Sequence, residues 1–91
     1  MKPFSWNADK NRWLKRERRV SFEQIVLAIE NDCLITVVDH PDQSKYPGQK
    51  IAVVEINDYA YAVLYIETEE RLFLKTIFPS RKYTRLYLKE G

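Results

Sequence analysis

The sequence predicts an α+β domain in which helices pack against an antiparallel β-sheet of about four strands. Two helical segments come first, four β-rich segments follow, and a basic helical segment closes the chain. Helices that are segregated from a run of consecutive strands indicate this class, whereas alternating β and α segments would indicate a parallel sheet. We therefore expect one domain over residues 1–91, with two N-terminal helices and one C-terminal helix on one face of a meander sheet.

The N-terminus contains a short extended segment and then a charged helix. Phe4 and Trp6 alternate toward one side, and Pro3 restricts such a segment to the edge of a sheet. Asn7 is a suitable N-cap for a helix over residues 8–18, because its side chain can accept from the first free backbone N–H groups.

The second helix has the clearest start signal in the chain. Ser21 and Gln24 fit the capping-box pattern, and Val20 and Ile25 can form the hydrophobic staple around it. The following apolar residues recur at helical spacing and predict one buried face: Phe22, Ile25, Val26 and Ile29.

Four β-branched and aromatic segments predict the strands. They cover residues 34–38, 50–56, 59–66 and 72–78, and polar turns separate them. Asn57 and Asp58 both tolerate positive φ, so they predict a hairpin turn. The segment 59–66 is apolar on both faces and is therefore expected at the centre of the sheet. Ser80 is expected to cap the final helix over residues 81–89.

The composition argues against several kinds of site. One cysteine, Cys33, cannot form an internal disulfide, and the single histidine, His40, has no metal-ligand spacing around it. The two glycines cannot form a phosphate-binding loop. We therefore expect no metal and no cofactor. The chain has no signal-peptide pattern and no apolar run long enough to cross a bilayer, so a soluble cytoplasmic protein without membrane contact is expected.

The charge is distributed unevenly along the chain. Residues 1–20 carry seven Lys/Arg against two acidic residues, a balance of +5; residues 21–74 carry three against ten, a balance of −7; residues 75–91 carry five against one, a balance of +4. If the two basic ends meet on the same side of the sheet, they form a face that attracts phosphate. Solvated helical surfaces with no ligand would carry the same charges.

The final helix is the strongest candidate for phosphate chemistry. Arg81, Arg85 and Lys89 recur every four residues and share one stripe, and Lys75 comes from the adjoining strand. Guanidinium groups bind phosphate with two hydrogen bonds and can stabilise charge on a pentacovalent phosphorane. Lys10 on the first helix is expected to join this face.

Both ends of the chain resemble the BrnT toxins. The N-terminal pattern of that family places an aromatic residue and Trp before Lys and a later Val-Ser-Phe-Glu run, and its C-terminal pattern leads from a strand into a basic helix. The matching residues here are Phe4, Trp6, Lys10, Val20, Ser21, Phe22, Glu23, Ile77, Ser80, Arg81, Arg85 and Tyr87. The chain departs from the family at positions where the family has Asn, His, Gly and Arg, which are Leu14, Arg18, Arg19 and Thr76 here.

The resemblance implies a RelE/ParE-like fold, metal-independent ribonuclease activity and growth arrest unless a partner neutralises the toxin. It also implies an adjacent-gene antitoxin of the ribbon-helix-helix type, with operator DNA bound only through that antitoxin. The expected catalytic set is Arg81, Arg85, Lys75, Lys10 and Tyr87, in which the cations stabilise charge and Tyr87 orients RNA or donates a proton. Glu55 and a deprotonated lysine are both open as the general base.

Two other classes of protein fit the same residues. One is a non-enzymatic module that binds nucleic acid or protein, and the other is an adaptor that uses the acidic middle of the chain. If an antitoxin binds, an acidic or amphipathic segment is expected to cover the arginines. The expected aromatic anchors are Trp13, Tyr83 and Tyr87, because interfaces favour Trp, Tyr and Arg.

Overall fold

A computed structural model describes residues 2–88 and contains a mixed five-stranded sheet with three helices. The elements in chain order are β1 (Phe4–Trp6), α1 (Ala8–Glu17), α2 (Phe22–Glu30), β2 (Leu34–Asp39), β3 (Gln49–Ile56), β4 (Tyr59–Glu67), β5 (Leu72–Pro79) and α3 (Arg81–Tyr87). The expectation of about four strands was wrong by one, because the short N-terminal segment pairs with the sheet. Lys89, and with it the expected end of the last helix, lies outside the described residues.

The sheet order is β1-β5-β4-β3-β2, so β4 is central, as its apolar residues on both faces predicted. β2 to β5 form an antiparallel meander, whereas β1 pairs with β5 in parallel over only three residues. The sheet is therefore mixed and not purely antiparallel. β1 lies at an edge, where the N–H that Pro3 lacks is not needed.

Local capping residues fix the ends of the helices where the sequence predicted them. The Asn7 side chain accepts from the Lys10 N–H, and Ser80 Oγ accepts from the Tyr83 N–H. Ser21 and Gln24 form the complete capping box at the start of α2. The turn between β3 and β4 has Asn57 at φ 53° and Asp58 at φ 64°, the left-handed pair that a two-residue hairpin requires.

A β-bulge at Lys75 determines which residues of β5 face the core. Leu74 pairs with Tyr65 and Thr76 pairs with Leu64, so Lys75 is the extra residue between them. Side chains of a regular strand alternate, and Leu74 and Ile77 would then lie on opposite faces. The bulge places both in one buried cluster and leaves Lys75 exposed.

The helices lie on both faces of the sheet. Residues of α1 and α2 share a buried cluster with Ala52 and Val54 of β3, whereas Tyr83 of α3 packs with Ile51 and Val53 of the same strand. Alternate residues of one strand point to opposite faces, so α3 lies on the face opposite α1 and α2. The expectation that all helices occupy one face was wrong.

A buried asparagine joins the two N-terminal helices. Asn11 Oδ1 accepts from the Phe22 N–H at 2.8 Å, and its Nδ2 donates to Glu23 Oε1 at 2.8 Å. The first N–H groups of a helix have no partner inside that helix, and here a side chain of α1 supplies one. This contact fixes the angle at which α1 crosses α2 over the sheet.

Candidate nucleic-acid interface

The expected catalytic residues do not form one basic face. Lys10 is on α1, whereas Arg81, Arg85 and Tyr87 are on α3 across the sheet. The prediction that Lys10 and Arg81 lie on the same side of the sheet was therefore wrong. The physical reason is that the chain turns at Ser80 toward the face that α1 and α2 leave open.

The arginines of α3 line a polar notch at the start of β4. Its lining residues are Tyr59, Arg81, Thr84 and Arg85. Arg81 and Arg85 are one helical turn apart, as predicted, and both are exposed. The ion pairs formed among residues 2–88 include neither of them. Their guanidinium donors therefore face solvent rather than a carboxylate within that part of the chain.

A buried threonine holds this notch to the sheet. Thr84 is 2% exposed; its hydroxyl donates to the Ser80 carbonyl at 2.8 Å and accepts from the Ala60 N–H at 2.8 Å. The Ser80 N–H donates in turn to the Ala60 carbonyl at 2.9 Å. These bonds join the first turn of α3 to the start of β4, so Arg81 and Arg85 extend from a fixed base beside Tyr59.

Sequence reasoning selected Tyr87 and missed Tyr59. Tyr87 is half-exposed and contacts Tyr83, with 6.0 Å between ring centroids, and it is not among the residues that line the notch. Tyr59 lines the notch because the Ser80–Ala60 bond brings α3 back to the start of β4. That bond spans twenty residues along the chain, and no local pattern in the sequence signals it.

A second basic cluster surrounds the outer edge of β5. Arg18 Nη1 donates to the Ile77 carbonyl at 2.7 Å and lies 3.4 Å from Thr76 Oγ1. Its guanidinium carbon is 4.8 Å from the centroid of the Trp13 ring, and Lys10 Nζ is 4.2 Å from the same centroid. These distances are those of cation–π contacts. We call Lys10, Trp13, Arg18 and Thr76 the α1–β5 cluster.

The α1–β5 cluster and the α3 notch flank the same end of β5. Arg18 binds the carbonyl of Ile77, and Arg81 follows Ile77 by four residues. Four residues of chain span at most about 14 Å. The positively charged guanidinium of Arg18, at the C-terminal end of α1, therefore lies near the end of β5, where α3 begins. Sequence reasoning placed Lys10 in this role; it put Arg18 on the same stripe of the first helix but did not include it in the expected site.

Two of the departures from the BrnT pattern are in contact. The family has His at the position of Arg18 and Arg at the position of Thr76, and here Arg18 reaches the Thr76 side chain. Arg19, where the family has Gly, has φ 56°, a left-handed conformation that glycine adopts without steric cost. The backbone at this point therefore has the conformation that the family glycine would favour.

Of the remaining candidates, Lys75, Glu55 and Tyr83 lie outside both clusters. Lys75 is exposed at the bulge of β5, next to Thr76 in sequence. Glu55 is half-buried on β3 and pairs in register with Ala60, the residue whose N–H binds Thr84. Trp13 packs against the core beneath its two cations, so it is not a free anchor, and Tyr83 is half-buried against the sheet.

Residues 2–88 contain no group of three or more His, Cys, Asp or Glu side chains arranged to hold a metal ion. Among the helices in that part of the chain, none is long and apolar enough to cross a membrane.

Comparison of the chain with protein-family models found no match, and comparisons with curated proteins and with solved structures found no significant match.

Proposed function

We propose that this chain is a metal-independent ribonuclease toxin of a two-component toxin–antitoxin pair, with its site at the end of β5. The observation that carries the proposal is the α3 notch, in which Arg81 and Arg85 are held beside Tyr59 by the buried Thr84. Further support comes from Arg18 and Thr76, whose contact joins two positions that the BrnT pattern marks as cationic.

The proposed reaction is attack of a ribose 2′-hydroxyl oxygen on the adjacent phosphorus. The hydroxyl gives its proton to a base, for which Glu55 and a deprotonated lysine both stay open, the bond to the 5′-oxygen breaks, and a cyclic phosphate is left. Arg81 and Arg85 stabilise the charge that develops on the phosphorane oxygens. The departing 5′-oxygen takes its proton from solvent water. Lys75 and the α1–β5 cluster bind the flanking phosphates, which gives Lys10 and Arg18 a role in holding RNA rather than in the chemical step.

The site predicts how a partner would inhibit it. An antitoxin, proposed to be of the ribbon-helix-helix type, would place an acidic segment over Arg81 and Arg85. Tyr87 is 40% exposed on the same helix and is the best aromatic anchor of those expected from the sequence. Binding of operator DNA would then belong to the antitoxin and not to this chain.

The direct test is cleavage of single-stranded RNA by the purified protein in the presence of a chelator. Arg81→Ala is expected to lower the cleavage rate by about 10²–10³, the usual effect of removing one donor to transition-state charge. Arg71→Ala is the matched control, because Arg71 is exposed in the turn between β4 and β5. An RNA with a 2′-deoxyribose at the cleaved position should resist cleavage.

The outcomes separate the proposed classes of protein. Equal rates for the two alanine variants would place the site elsewhere. RNA binding without cleavage at any salt concentration would favour a non-enzymatic nucleic-acid-binding module. Expression without growth arrest would argue against a toxin even if cleavage were observed in vitro.

A further inference from the structure

The two edges of the sheet differ in how they are protected against pairing with another strand. At the β1 side, the outermost strand has only three residues, and Lys2 binds Glu67 and the Thr68 carbonyl across it. Beyond β1, Arg18 donates a hydrogen bond to the Ile77 carbonyl on the outer edge of β5. Short edge strands and charged side chains are the usual means of preventing edge-to-edge association.

The β2 edge has little such protection. Its sequence, Leu-Ile-Thr-Val-Val-Asp, contains no Lys, Arg, Pro or Gly and has high β propensity. Within residues 2–88, β2 pairs only with β3, which leaves its outer backbone groups unpaired. Leu34 is 40% exposed and Val37 is 41% exposed. Both side chains line an apolar groove that continues over the sheet toward Ala52, Val63 and Leu74.

We propose that two copies of this chain associate through antiparallel pairing of their β2 edges, giving a continuous ten-stranded sheet. This inference does not depend on the ribonuclease proposal. A two-fold contact of this kind uses the same surface on both copies, which is the commonest arrangement in oligomers.

The pleat of β2 selects the register. Residues directly opposite each other in an antiparallel pair point to the same face. Val37 pairs with Ala52 on one face of the sheet, and Val38 pairs with Ile51 on the other. If the two-fold axis lay midway between two neighbouring residues of β2, each residue would stand opposite one whose side chain points to the other face. The axis must therefore pass between the two copies of a single residue. An axis at Val37 opposes the two Val37 side chains.

This register also avoids electrostatic conflict. It places Thr36 opposite Val38 of the second copy and Asp39 beside the bulge at Ile35, so no two acidic residues are directly opposed. The bulge at Ile35 falls outside the central pairs. Only about three regular residue pairs are formed, so the buried area is smaller than the roughly 800 Å² per partner of a standard interface. We therefore expect a dimer with a dissociation constant in the micromolar range rather than the nanomolar range.

Sedimentation equilibrium of the full chain over a wide concentration series tests the association. The wild type should approach twice the mass of one chain at concentrations well below about 1 mM. Val37→Lys should remain monomeric, because it places two like charges at the two-fold axis. Leu27→Lys is the matched control: Leu27 is also an exposed apolar residue, on the outer surface of α2, and its replacement should leave the dimer intact.

Cross-linking tests the register itself. In a Cys33→Ser background, Val37→Cys should form an intermolecular disulfide under mild oxidation, because the two β-carbons at the axis lie within reach of each other. Leu27→Cys in the same background should not. A wild type that stays monomeric at about 1 mM, a dimer that Val37→Lys leaves intact, or a dimer whose Val37→Cys variant fails to cross-link would each overturn the proposal.

Discussion

Replacement of Thr84 by valine tests whether one buried hydroxyl holds the α3 notch to the sheet. The substitution preserves the shape of the side chain and removes two hydrogen bonds. The Ser80 carbonyl keeps its bond from the Thr84 N–H at 3.0 Å, so only the Ala60 N–H loses its partner. Ala60 is fully buried, and an unsatisfied buried donor costs about 1–3 kcal/mol.

Urea unfolding measures this cost, and a loss of about 2 kcal/mol corresponds to a midpoint shift of roughly 1 M for a protein of this size. Thr84→Ser is the matched control, since it keeps the hydroxyl and loses one methyl group worth about 0.8 kcal/mol. The serine variant should be the more stable of the two and should retain more RNA cleavage. If Thr84→Val is as stable as the wild type, the bridge does not hold α3 in place.

Four further predictions concern the helices and the pH dependence of stability. Arg19→Gly should raise the free energy of unfolding by about 0.5–1 kcal/mol, because φ 56° strains a residue with a β-carbon; a lower urea midpoint would contradict this. Asn11→Ala should cost about 1–3 kcal/mol by leaving the Phe22 N–H without a partner. The hydrogen bond from Asn11 lowers the pKa of Glu23 more than the charge of Lys15 does. The stability that Glu23 contributes is therefore present above pH 4.5 and is lost as pH falls through the lower pKa of the folded state. Glu23→Gln should abolish that part of the acid titration. Burial raises the pKa of Tyr65, so its neutral form is favoured on folding and stability should fall above pH 10 in urea titrations, less so in Tyr65→Phe.

Much of the fold could be predicted from short-range chemistry. The caps at Asn7, Ser21 and Ser80 depend on residues three positions apart, and the Asn57-Asp58 turn depends on two adjacent residues. These interactions act within one turn of chain, so the sequence reveals them. The central position of β4 followed from apolar side chains on both of its faces.

The face on which α3 lies could not be predicted in this way. Residues 72–78 are apolar at both odd and even positions apart from Lys75 and Thr76, so the alternation does not reveal which side is buried. The bulge at Lys75 decides it by placing Leu74 and Ile77 on the α1 and α2 face. A single extra residue thus determines the face of every residue that follows, which is why a local reading assigned the last helix to the wrong side.

The predicted site was affected by the same error. Lys10 was expected at the phosphate because α1 and α3 were expected to lie side by side. In the structure the long side chain of Arg18 reaches the edge of β5 instead, over the Trp13 ring. The sequence contained one indication of this role for Arg18. The BrnT pattern has a histidine at that position, a residue type that is more often functional than structural.

The basic ends and the acidic middle of the chain contribute to different parts of the sheet, which links the two proposals. Arg18 reaches the outer edge of β5 from the α1 side and Arg81 follows β5 on the opposite face, while Asp32 and Asp39 lie beside the β2 edge. Pairing through β2 would leave seven strand spacings between β5 of one copy and β5 of the other, roughly 34 Å. Both RNA sites would then stay open and independent. Val37→Lys should consequently remove the dimer and leave the cleavage rate per chain unchanged; a large fall in that rate with an unaltered fold would show that the sites are not independent.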